Sequence, residues 1–384
     1  MKSAFSSIHL WIPDYQSAKG GIQVFSNHLV RALEKILPES RISIFSKNDT
    51  SFPPLPKRTC PTAFHANGWW PGRLRTLAFS ARIAQKAIAE RPGLIISTHP
   101  NFTPIAHQLK RLIGTRYLSI AHGVDVWGVR RGLMVDALRA ADGVLAVSRF
   151  TRSQMIADMH LAPEQVCVLA NTFDSAEFLP EPKPHYLLKR YNLSKDTRVI
   201  LTVARLASAE RYKGYDQILQ ALPAIRKAIP DVCYMLGGRG PDRPRIEAMI
   251  RNLHLEDVVK MVGYIPDHEL NDYYNLCDLF AMPSKGEGFG IVFLEALACG
   301  KPVLAGNKDG SMDALLGGEL GVLIDPDNLH DLTQAMVAAL MRRHPLKILQ
   351  DSVTLRKRVI EAYGFDSFTK SVSGHLAHLL PEKP

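Results

Sequence analysis

The chain has 384 residues, of which 46% are hydrophobic and 22% charged, and its formal net charge is +10. Because a single hydrophobic core stops growing well below this length, we expect two domains of ordinary globular composition. The five cysteines are odd in number and form no Cys-x-x-Cys pair, which argues against a disulfide framework or a zinc site and favours a reducing compartment.

Short apolar runs alternate with helical patterns along the whole chain, which is typical of parallel sheets covered by helices on both faces. The predicted strands of the first half are FSSIHLWI, RISIFS, GLIIST, RYLSIAH, GVLAVS and VCVLA. Those of the second half are VILTVA, VCYMLGG, VVKMVG, LFAMPS, PVLAG and GVLI. We therefore predict an α/β protein with two Rossmann-like, doubly wound domains facing a central cleft.

A Pro-rich, charged stretch at residues 175–193 is predicted to connect the two domains. We place the N-terminal domain at residues 1–178 and the C-terminal domain at residues 179–365. Residues 366–384 are expected to form a final helix, for which the pattern allows packing on either domain, including back on the N-terminal domain.

The first strand–helix junction contains two adjacent glycines, Gly20 and Gly21. The helix after them has an apolar face made of Ile22, Phe25, Leu29 and Leu33. Glycines at a helix start let a phosphate approach the backbone closely, although a plain tight turn is the commoner reason for such a pair.

Residues 57–152 hold 15 Lys and Arg against 4 Asp and Glu, and this surplus indicates an anionic surface or partner. Trp69 and Trp70 precede a helix there that carries Arg73, Arg75, Arg82 and Lys86. The pattern suits docking on an anionic membrane, and it equally suits buried tryptophans under a solvated helix face. No apolar run approaches eighteen residues and no secretion signal is present, so we expect a cytoplasmic protein.

His122 directly follows the predicted strand RYLSIA, and a histidine at the end of a strand points toward a cleft rather than into a core. Position alone leaves a structural and a functional role equally open. For Asn171 and Asp174, which close the first half, capping is the simpler explanation.

Two cations flank the loop after the first strand of the second half, Arg205 at the strand end and Lys213 before the next helix. Together they suit a diphosphate, whereas either one alone is better explained as a solvated surface cation. The glycine-rich turn at residues 237–241 contains Gly238 and is again suited to close approach of a ligand.

The run EGFGIVFLE contains two carboxylates, Glu287 and Glu295, separated by the predicted start of a helix. The free amide groups of Gly290, Ile291 and Val292 and the positive end of the helix dipole form an anion site. Ionised carboxylates beside it suit the hydroxyl groups of a sugar. A phosphate next to a polyol describes a nucleotide sugar.

Asp325, Pro326 and Asp327 imitate the Asp-x-Asp pattern that holds a metal-bound nucleotide. The triplet follows a strand and precedes a helix predicted to open at Asn328, so turn and capping chemistry explains it better. We therefore expect no required metal and no other cofactor.

With Gly20–Gly21, His122, Arg205, Lys213 and the Glu287–Glu295 pair in this order, the chain resembles the retaining glycosyltransferases of family four, which have the GT-B fold. The resemblance covers nearly the whole chain. It is most specific in EGFGIVFLE, which is similar to the E-x7-E signature of that family.

The resemblance implies a role for each of these positions. Arg205 and Lys213 would bind the donor diphosphate and offset the charge on the departing nucleotide. Glu287 would contact hydroxyls of the donor sugar and Glu295 those of the ribose. His122 would line the sugar near the reacting carbon.

Backbone groups take the remaining implied roles. The amides of Phe289, Gly290 and Ile291 would lie near the sugar, and Gly21 would approach the phosphate from the N-terminal domain. The sequence departs from the family in the loop RLASAERYK, which is longer than in many relatives. It departs again at Asp313, where relatives often have Glu.

The resemblance thus implies a retaining, metal-independent hexosyltransferase of cell-surface polysaccharide biosynthesis. It would move a hexose from GDP-mannose or a UDP-hexose to a glycan or lipid-linked acceptor. Residues 1–178 would form the acceptor side and residues 179–365 the nucleotide-sugar side. Retention in the family is usually attributed to same-face attack, with the leaving phosphate taking the acceptor's proton. Many relatives extend lipid-linked glycans at the inner membrane, which favours docking there over a solvated helix face. Nucleic acid explains the charge less well, because no recognised nucleic-acid motif accompanies it.

Two other classes remain as alternatives. A nucleotide-sugar epimerase of similar two-domain build would turn over the nucleotide sugar without an acceptor and would not need the EGFGIVFLE helix. A nucleotide-sugar sensor on a degenerate scaffold is disfavoured by the intact Arg205, Lys213 and Glu287.

Overall fold

The computed structural model describes residues 5–16, 20–52 and 60–379. The chain divides into two compact units, one made of Met1–Thr172 and Phe365–Pro384 and the other of Phe173–Gly364. Each unit is a parallel β-sheet with helices, so the predicted fold class of two doubly wound α/β domains is confirmed.

The first unit is built on a parallel sheet. Its strands are β1 (Ser7–Ile12), β2 (Arg41–Ser46), β3 (Thr62–Ala66), β4 (Leu94–Ser97), β5 (Arg116–Ala121), β6 (Gly143–Ala146) and β7 (Val166–Val168). Its first helices are α1 (Gly21–Ile36), α2 (Gly72–Glu90), α3 (Thr103–Ile113), α4 (Leu133–Arg139) and α5 (Arg149–Met159). In the described residues the strand order is β3-β2-β1-β4-β5-β6-β7. Successive strands are first added on one side of β1 and then, from β4 onward, on its other side, so the strand order reverses between β1 and β4.

Apolar runs form the central strands because both faces of a parallel sheet are covered by helices. All four residues of β4 are buried, and α1 buries Phe25, Leu29 and Leu33 along one face, as its spacing predicts. The predicted strands of this half are all present. β3 was not predicted, because its sequence TAFHA has no apolar run and each of its residues is only half-buried at the sheet edge.

The second unit repeats the architecture. Its strands are β8 (Arg198–Val203), β9 (Val232–Gly237), β10 (Val259–Gly263), β11 (Leu279–Met282), β12 (Val303–Gly306) and β13 (Val322–Ile324). Its helices are α6 (His185–Tyr191), α7 (Tyr215–Ala228), α8 (Arg243–Asn252), α9 (Asp267–Leu276), α10 (Ile291–Ala298), α11 (Ser311–Ala314), α12 (Leu329–Leu340) and α13 (Ser352–Tyr363). The described strands are ordered β10-β9-β8-β11-β12-β13, with the reversal between β8 and β11.

The stretch 175–193, predicted to connect the two domains, lies within the second unit. It contains α6, and Lys183 forms an ion pair with Asp278 at 2.7 Å. Arg190 pairs with Glu269 at the same distance, 2.7 Å. Its prolines favour extended backbone. Because its charged side chains pair with α9 and with the residue before β11, the stretch packs against the second unit.

The last helix, α14 (Phe365–His378), belongs to the first unit. Its Phe368 ring packs edge-on against Phe25 of α1 at 5.8 Å. The ring of His375 donates through Nε2 to the carbonyl oxygen of Val168 at 3.0 Å. Residues 380–384 of the expected tail helix lie outside the described residues. Of the helices that the structure describes, none is both long and apolar enough to cross a bilayer.

Candidate active-site residues

The second sheet brings three of the predicted residues to one edge. Arg205 and Lys213 follow β8, and Glu287 follows β11, which is hydrogen-bonded to β8. In open parallel sheets, ligands bind beyond the carboxyl ends of the strands where the strand order reverses. The residues after β8 and β11 therefore occupy the favoured place for a ligand in this unit.

Lys213 and Glu287 form a direct ion pair with little access to water. Their side chains are only 15% and 16% exposed. Burial on its own lowers the pKa of Lys213, but the charge and hydrogen bond of Glu287 outweigh it, so the pKa lies above its ordinary value. Lys213 is therefore a fixed positive charge at neutral pH.

A glycine holds this pair in place. Gly214 has a φ of +85°, and a Cβ there would lie 2.2 Å from the carbonyl oxygen of Pro283. Only glycine permits that approach, which brings the turn containing Lys213 against the loop that follows β11. The sequence analysis identified Lys213 as a cation but did not predict this role of the glycine that follows it.

Arg205 is oriented differently. Its side chain is 72% exposed and its Nη2 lies 2.7 Å from Oε1 of Glu210 in the long RLASAERYK loop. Lys213 is thus paired with Glu287, while Arg205 is paired with an acid from the segment in which the sequence departs from the family.

Asp309 shapes the loop that carries Glu287, and the sequence did not point to it. Its buried carboxylate accepts hydrogen bonds from Ser284 Oγ at 2.6 Å, from the amide of Glu287 at 2.7 Å and from the amide of Ser311 at 2.9 Å. Burial raises the pKa of Asp309, and these hydrogen bonds act in the opposite direction. At Asp313, where relatives often have Glu, the carbonyl oxygen accepts a hydrogen bond from the Tyr363 hydroxyl.

The start of α10 is open in the sense that, among the described residues, no side chain caps it. Gly290 precedes it with a φ of +91°, and a Cβ there would meet the Phe293 ring at 2.4 Å. The first amide groups of α10, beginning at Ile291 and Val292, have no partner inside the helix and lie at the positive end of its dipole. The ring of Phe289 is buried, so this residue presents only its backbone.

Glu295 contacts other partners than Glu287 does. Its carboxylate is buried and accepts a hydrogen bond from the hydroxyl of Tyr274 on α9 at 2.6 Å. Burial raises the pKa of Glu295 to about 7, although the Tyr274 hydrogen bond acts in the opposite direction. Tyr274 is not among the site residues predicted from the sequence.

The glycine turn after β9 serves the protein's own packing. A Cβ at Gly238 would lie 1.8 Å from the carbonyl oxygen of Ala204, and its amide donates to Gly263 at 2.6 Å. Gly238 therefore allows the ends of β8, β9 and β10 to approach one another. That is a different reason for the glycine than the close ligand approach predicted from the sequence.

The Asp325-Pro326-Asp327 triplet forms a turn, and α12 opens with Asn328 as its cap, as predicted. Lys308 pairs with Asp325 at 2.6 Å and with Asp327 at 2.8 Å. Within the described ranges, no group of three or more His, Cys, Asp or Glu is arranged to hold a metal ion.

In the first unit, Gly20 and Gly21 stand at the start of α1. A Cβ at either position would meet no atom within 4 Å among the described residues. The φ of Gly20 is −177°, an extended value open to any residue. Among the described residues, then, no atom occupies the space beside this helix start, unlike that at Gly238. Residues 17–19 before it lie outside the described residues.

His122 lies at the end of β5 with its ring fixed. Its Nε2 donates to the carbonyl oxygen of Thr98 at 2.9 Å, and the ring meets Phe25 edge-on at 5.1 Å. Burial lowers the pKa of His122 to about 4, with a partial offset from the Thr98 hydrogen bond. His122 is thus neutral at pH 7 and keeps a lone pair on Nδ1. Asp125, which the sequence did not single out, accepts hydrogen bonds from the His122 amide at 3.0 and 3.1 Å.

The two residues that close the first half have structural surroundings. Asn171 is buried, and Asp174 accepts a hydrogen bond from the amide of Ala176 at 3.1 Å, which forms a local turn. No helix of the described residues begins at Asn171 or Asp174, so a capping role for them stays a prediction.

Comparison with known proteins places this arrangement in a family. The family described as Glycosyltransferase Family 4 matches residues 19–177, and the family described as Glycosyl transferases group 1 matches residues 187–354. A GDP-mannose-dependent alpha-(1-6)-phosphatidylinositol monomannoside mannosyltransferase of Mycolicibacterium smegmatis is 30% identical over 287 residues, or 70% of this chain and 65% of that protein. The chain thus spans just under two thirds of the length of this curated relative.

Solved structures show the same fold. Sucrose-phosphate synthase from Thermosynechococcus elongatus has a TM-score of 0.79 at 22% identity, with 97% of this chain and 99% of the other covered. Anabaena HepE in complex with UDP-glucose has a TM-score of 0.75 at 19% identity, with coverage of 97% and 99%. Because the two families match adjoining segments that make up most of the sequence, this chain belongs to family four of the glycosyltransferases, and its two units have the GT-B fold.

Proposed function

We propose that this chain is a retaining glycosyltransferase that moves a hexose from a nucleotide-diphosphate sugar to a glycan or lipid-linked acceptor. The buried Lys213–Glu287 ion pair, which lies in the same loop region as the open start of α10, carries the proposal. This region combines a fixed cation, free amide groups and a carboxylate. The cation and the amides can bind a diphosphate, and the carboxylate can bind the hydroxyl groups of the attached sugar.

The chemistry follows from these groups. The bond between the anomeric carbon and the diphosphate oxygen breaks, a bond from the acceptor oxygen to that carbon forms, and the acceptor's proton passes to the leaving diphosphate. Negative charge grows on the diphosphate during this step. Lys213 and the amides of α10 stabilise it, because both are in place before the reaction begins. Arg205 joins them by exchanging Glu210 for the diphosphate, and Glu287 accepts hydrogen bonds from the sugar.

The relatives support a donor of this kind. The mycobacterial relative is named as GDP-mannose-dependent, and HepE was solved with UDP-glucose. We infer that the donor is GDP-mannose or a UDP-hexose and that the product belongs to cell-surface polysaccharide biosynthesis.

The test compares Lys213→Ala and Glu287→Gln with Lys227→Ala, an exposed lysine near the end of α7. Release of nucleoside diphosphate is measured from GDP-mannose, UDP-glucose and UDP-galactose, with and without sugar acceptors. We expect the first two variants to lose about a hundredfold or more in kcat/KM, because a preorganised charge acts in the transition state. Lys227→Ala should match the unsubstituted protein.

Unchanged turnover in both site variants would refute the assignment. Conversion of the sugar without release of nucleoside diphosphate would instead establish the epimerase alternative. Melting temperatures of all variants, measured without ligand, show whether a loss of turnover comes from a loss of folding.

We infer further that α2 docks this enzyme on the inner face of an anionic membrane. Trp69 is 73% exposed, and exposed apolar side chains continue along the outer side of α2 at Leu74, Leu77 and Ile88. Arg73 and Arg82 are exposed on the same helix. The alternative of buried tryptophans under a solvated helix face is disfavoured, because Trp69 and Trp70 are both exposed. Residues 57–59 of the basic segment 57–152 lie outside the described residues.

A further inference from the structure

Two histidines lie at the same edge of the first sheet, on neighbouring strands. β4 and β5 pair in parallel with Ser97 opposite Ser119, and His99 and His122 follow their ends. The His122 ring is hydrogen-bonded to the carbonyl oxygen of Thr98, the residue directly before His99. His122 is already a candidate for contact with a sugar, whereas His99 has no assigned role.

The backbone holds each ring in one tautomer. Because the carbonyl oxygen of Thr98 only accepts, Nε2 of His122 carries the proton and Nδ1 keeps its lone pair. At His99 the amide of Asn101 donates to Nδ1 at 3.2 Å, so the proton of the neutral ring lies on Nε2. His122 thus offers an acceptor, and His99 offers a donor.

Both rings are uncharged at neutral pH. Burial lowers the pKa of His122 to about 4. Burial also lowers the pKa of His99, where the charges of His122 and Lys47 act in the same direction and that of Asp125 opposes them. His99 therefore lies within electrostatic range of Asp125, His122 and Lys47.

Asp125 fixes the turn that carries His122. Both of its carboxylate oxygens accept a hydrogen bond from the His122 amide. Gly123, which lies between His122 and Asp125 in the sequence, has a φ of +126°. Burial raises the pKa of Asp125, while the charge of His99 and the amide hydrogen bonds lower it. Asp125 is therefore a positioning residue that acts through the His122 turn.

We propose, on the basis of the glycosyltransferase function above, that His99 and His122 together bind one sugar hydroxyl. His99 donates from Nε2–H to the hydroxyl oxygen, and His122 accepts the hydroxyl proton at Nδ1. A hydroxyl both donates and accepts at one atom, whereas an ionised phosphate or carboxylate oxygen only accepts. The hydroxyl belongs to the sugar of the donor or to that of the acceptor.

A double-mutant cycle tests whether the two rings share one hydroxyl. The variants are His99→Leu, His122→Phe and the double variant, with kcat/KM measured by nucleotide release from the best donor of the panel above. Each single variant should lose about tenfold, the order expected for one hydrogen bond between neutral groups. The double variant should lose clearly less than the product of the two single losses, because two hydrogen bonds to one hydroxyl polarise each other and the second is weaker once the first is gone. His99→Gln, which keeps an N–H donor near the position of Nε2, should restore most of the activity.

Nuclear magnetic resonance of the full chain with 15N-labelled histidine gives a readout besides activity. Both rings should show the Nε2–H tautomer, and saturating donor or acceptor should shift Nδ1 of His122. The shift should shrink in His99→Leu. An Nδ1–H tautomer at either residue would overturn the proposed hydrogen bonds.

The source of the hydroxyl follows from two assays. A loss that also appears in donor hydrolysis without acceptor assigns the hydroxyl to the donor sugar. A loss seen only as a raised KM for methyl α-D-mannopyranoside assigns it to the acceptor. Losses that simply multiply in the double variant, or a His99→Gln variant as poor as His99→Leu, refute the shared hydroxyl alone. If the unsubstituted chain releases no nucleotide from any donor, both this inference and the proposed function fail.

Discussion

Glu295 illustrates how one buried side chain sets a pH dependence. Its folded pKa of about 7 lies above the ordinary value of 4.5, because burial disfavours the charged carboxylate. Below about pH 4.5 it is protonated in both states and has no net effect. As the pH rises toward 7 the unfolded chain releases the proton first, so the folded state loses stability across that window.

Glu295→Gln should remove this loss. Glutamine still accepts the hydrogen bond from Tyr274 but carries no charge. We expect the variant to match the unsubstituted protein at pH 4 and to exceed it by about 3 kcal/mol in free energy of unfolding above pH 7. Denaturant titrations at pH 4, 6 and 8 measure the difference, and a constant difference across this range would contradict the expectation.

Residues were predictable from sequence where their chemistry shows in a short motif. Lys213 and Glu287 stood out as a cation in a strand–helix loop and an acid in EGFGIVFLE, although nothing in the sequence paired them directly. Asp309 and Asp125 were missed, because their role is to accept hydrogen bonds from backbone amides, which only the folded chain brings into place. Glu210 was missed for a related reason, since its link to Arg205 depends on the shape of a long loop.

At the scale of an element, α2 has two different faces. Phe79 and Ile83 face the core of the first unit, while Leu77 lies on the outside, exposed to 68%. An apolar outer face flanked by arginines gains from insertion into an anionic lipid interface, and its electrostatic part weakens with salt.

Leu77→Asp should reduce membrane binding. Vesicles of phosphatidylglycerol and phosphatidylcholine are sedimented with the protein at low and high salt, and we expect at least a tenfold loss of affinity from the lost apolar contact and the added charge. Leu112→Asp on α3 is the matched control, because Leu112 has the same 68% exposure outside this face. Equal binding by the two variants, or no binding of the unsubstituted protein at low salt, would rule out docking through α2.

Strands were the most predictable elements and connections the least. Central strands are mostly apolar because both of their faces are covered, and that pattern can be recognised in the sequence. β3 lies at an edge and needs no such pattern. The prolines of 175–193 predicted a connection between domains. The ion pair of Lys183 with Asp278 could not be predicted, because the two residues are far apart in the sequence.

At the scale of the whole molecule, the first unit depends on the last helix of the chain. Phe368 of α14 is buried against Phe25, which in turn contacts His122. Phe368→Ala should therefore destabilise the first unit by about 3–5 kcal/mol, the usual cost of removing a buried phenylalanine ring.

Lys370→Ala, an exposed position on the same helix, is the control for that variant and should leave stability unchanged. Thermal unfolding of both variants is followed by calorimetry. A Phe368→Ala protein as stable as Lys370→Ala would show that α14 adds little to the first unit.

In the sequence, the second unit is one continuous segment between the two parts of the first unit. Its two ends lie next to each other, because Phe173 and Gly364 form a parallel backbone bridge. On the ribosome, α14 emerges only after every residue of the second unit has been made. The unit that is translated first is thus completed last, and until α14 has been made, the face of α1 that α14 covers stays exposed in the nascent protein.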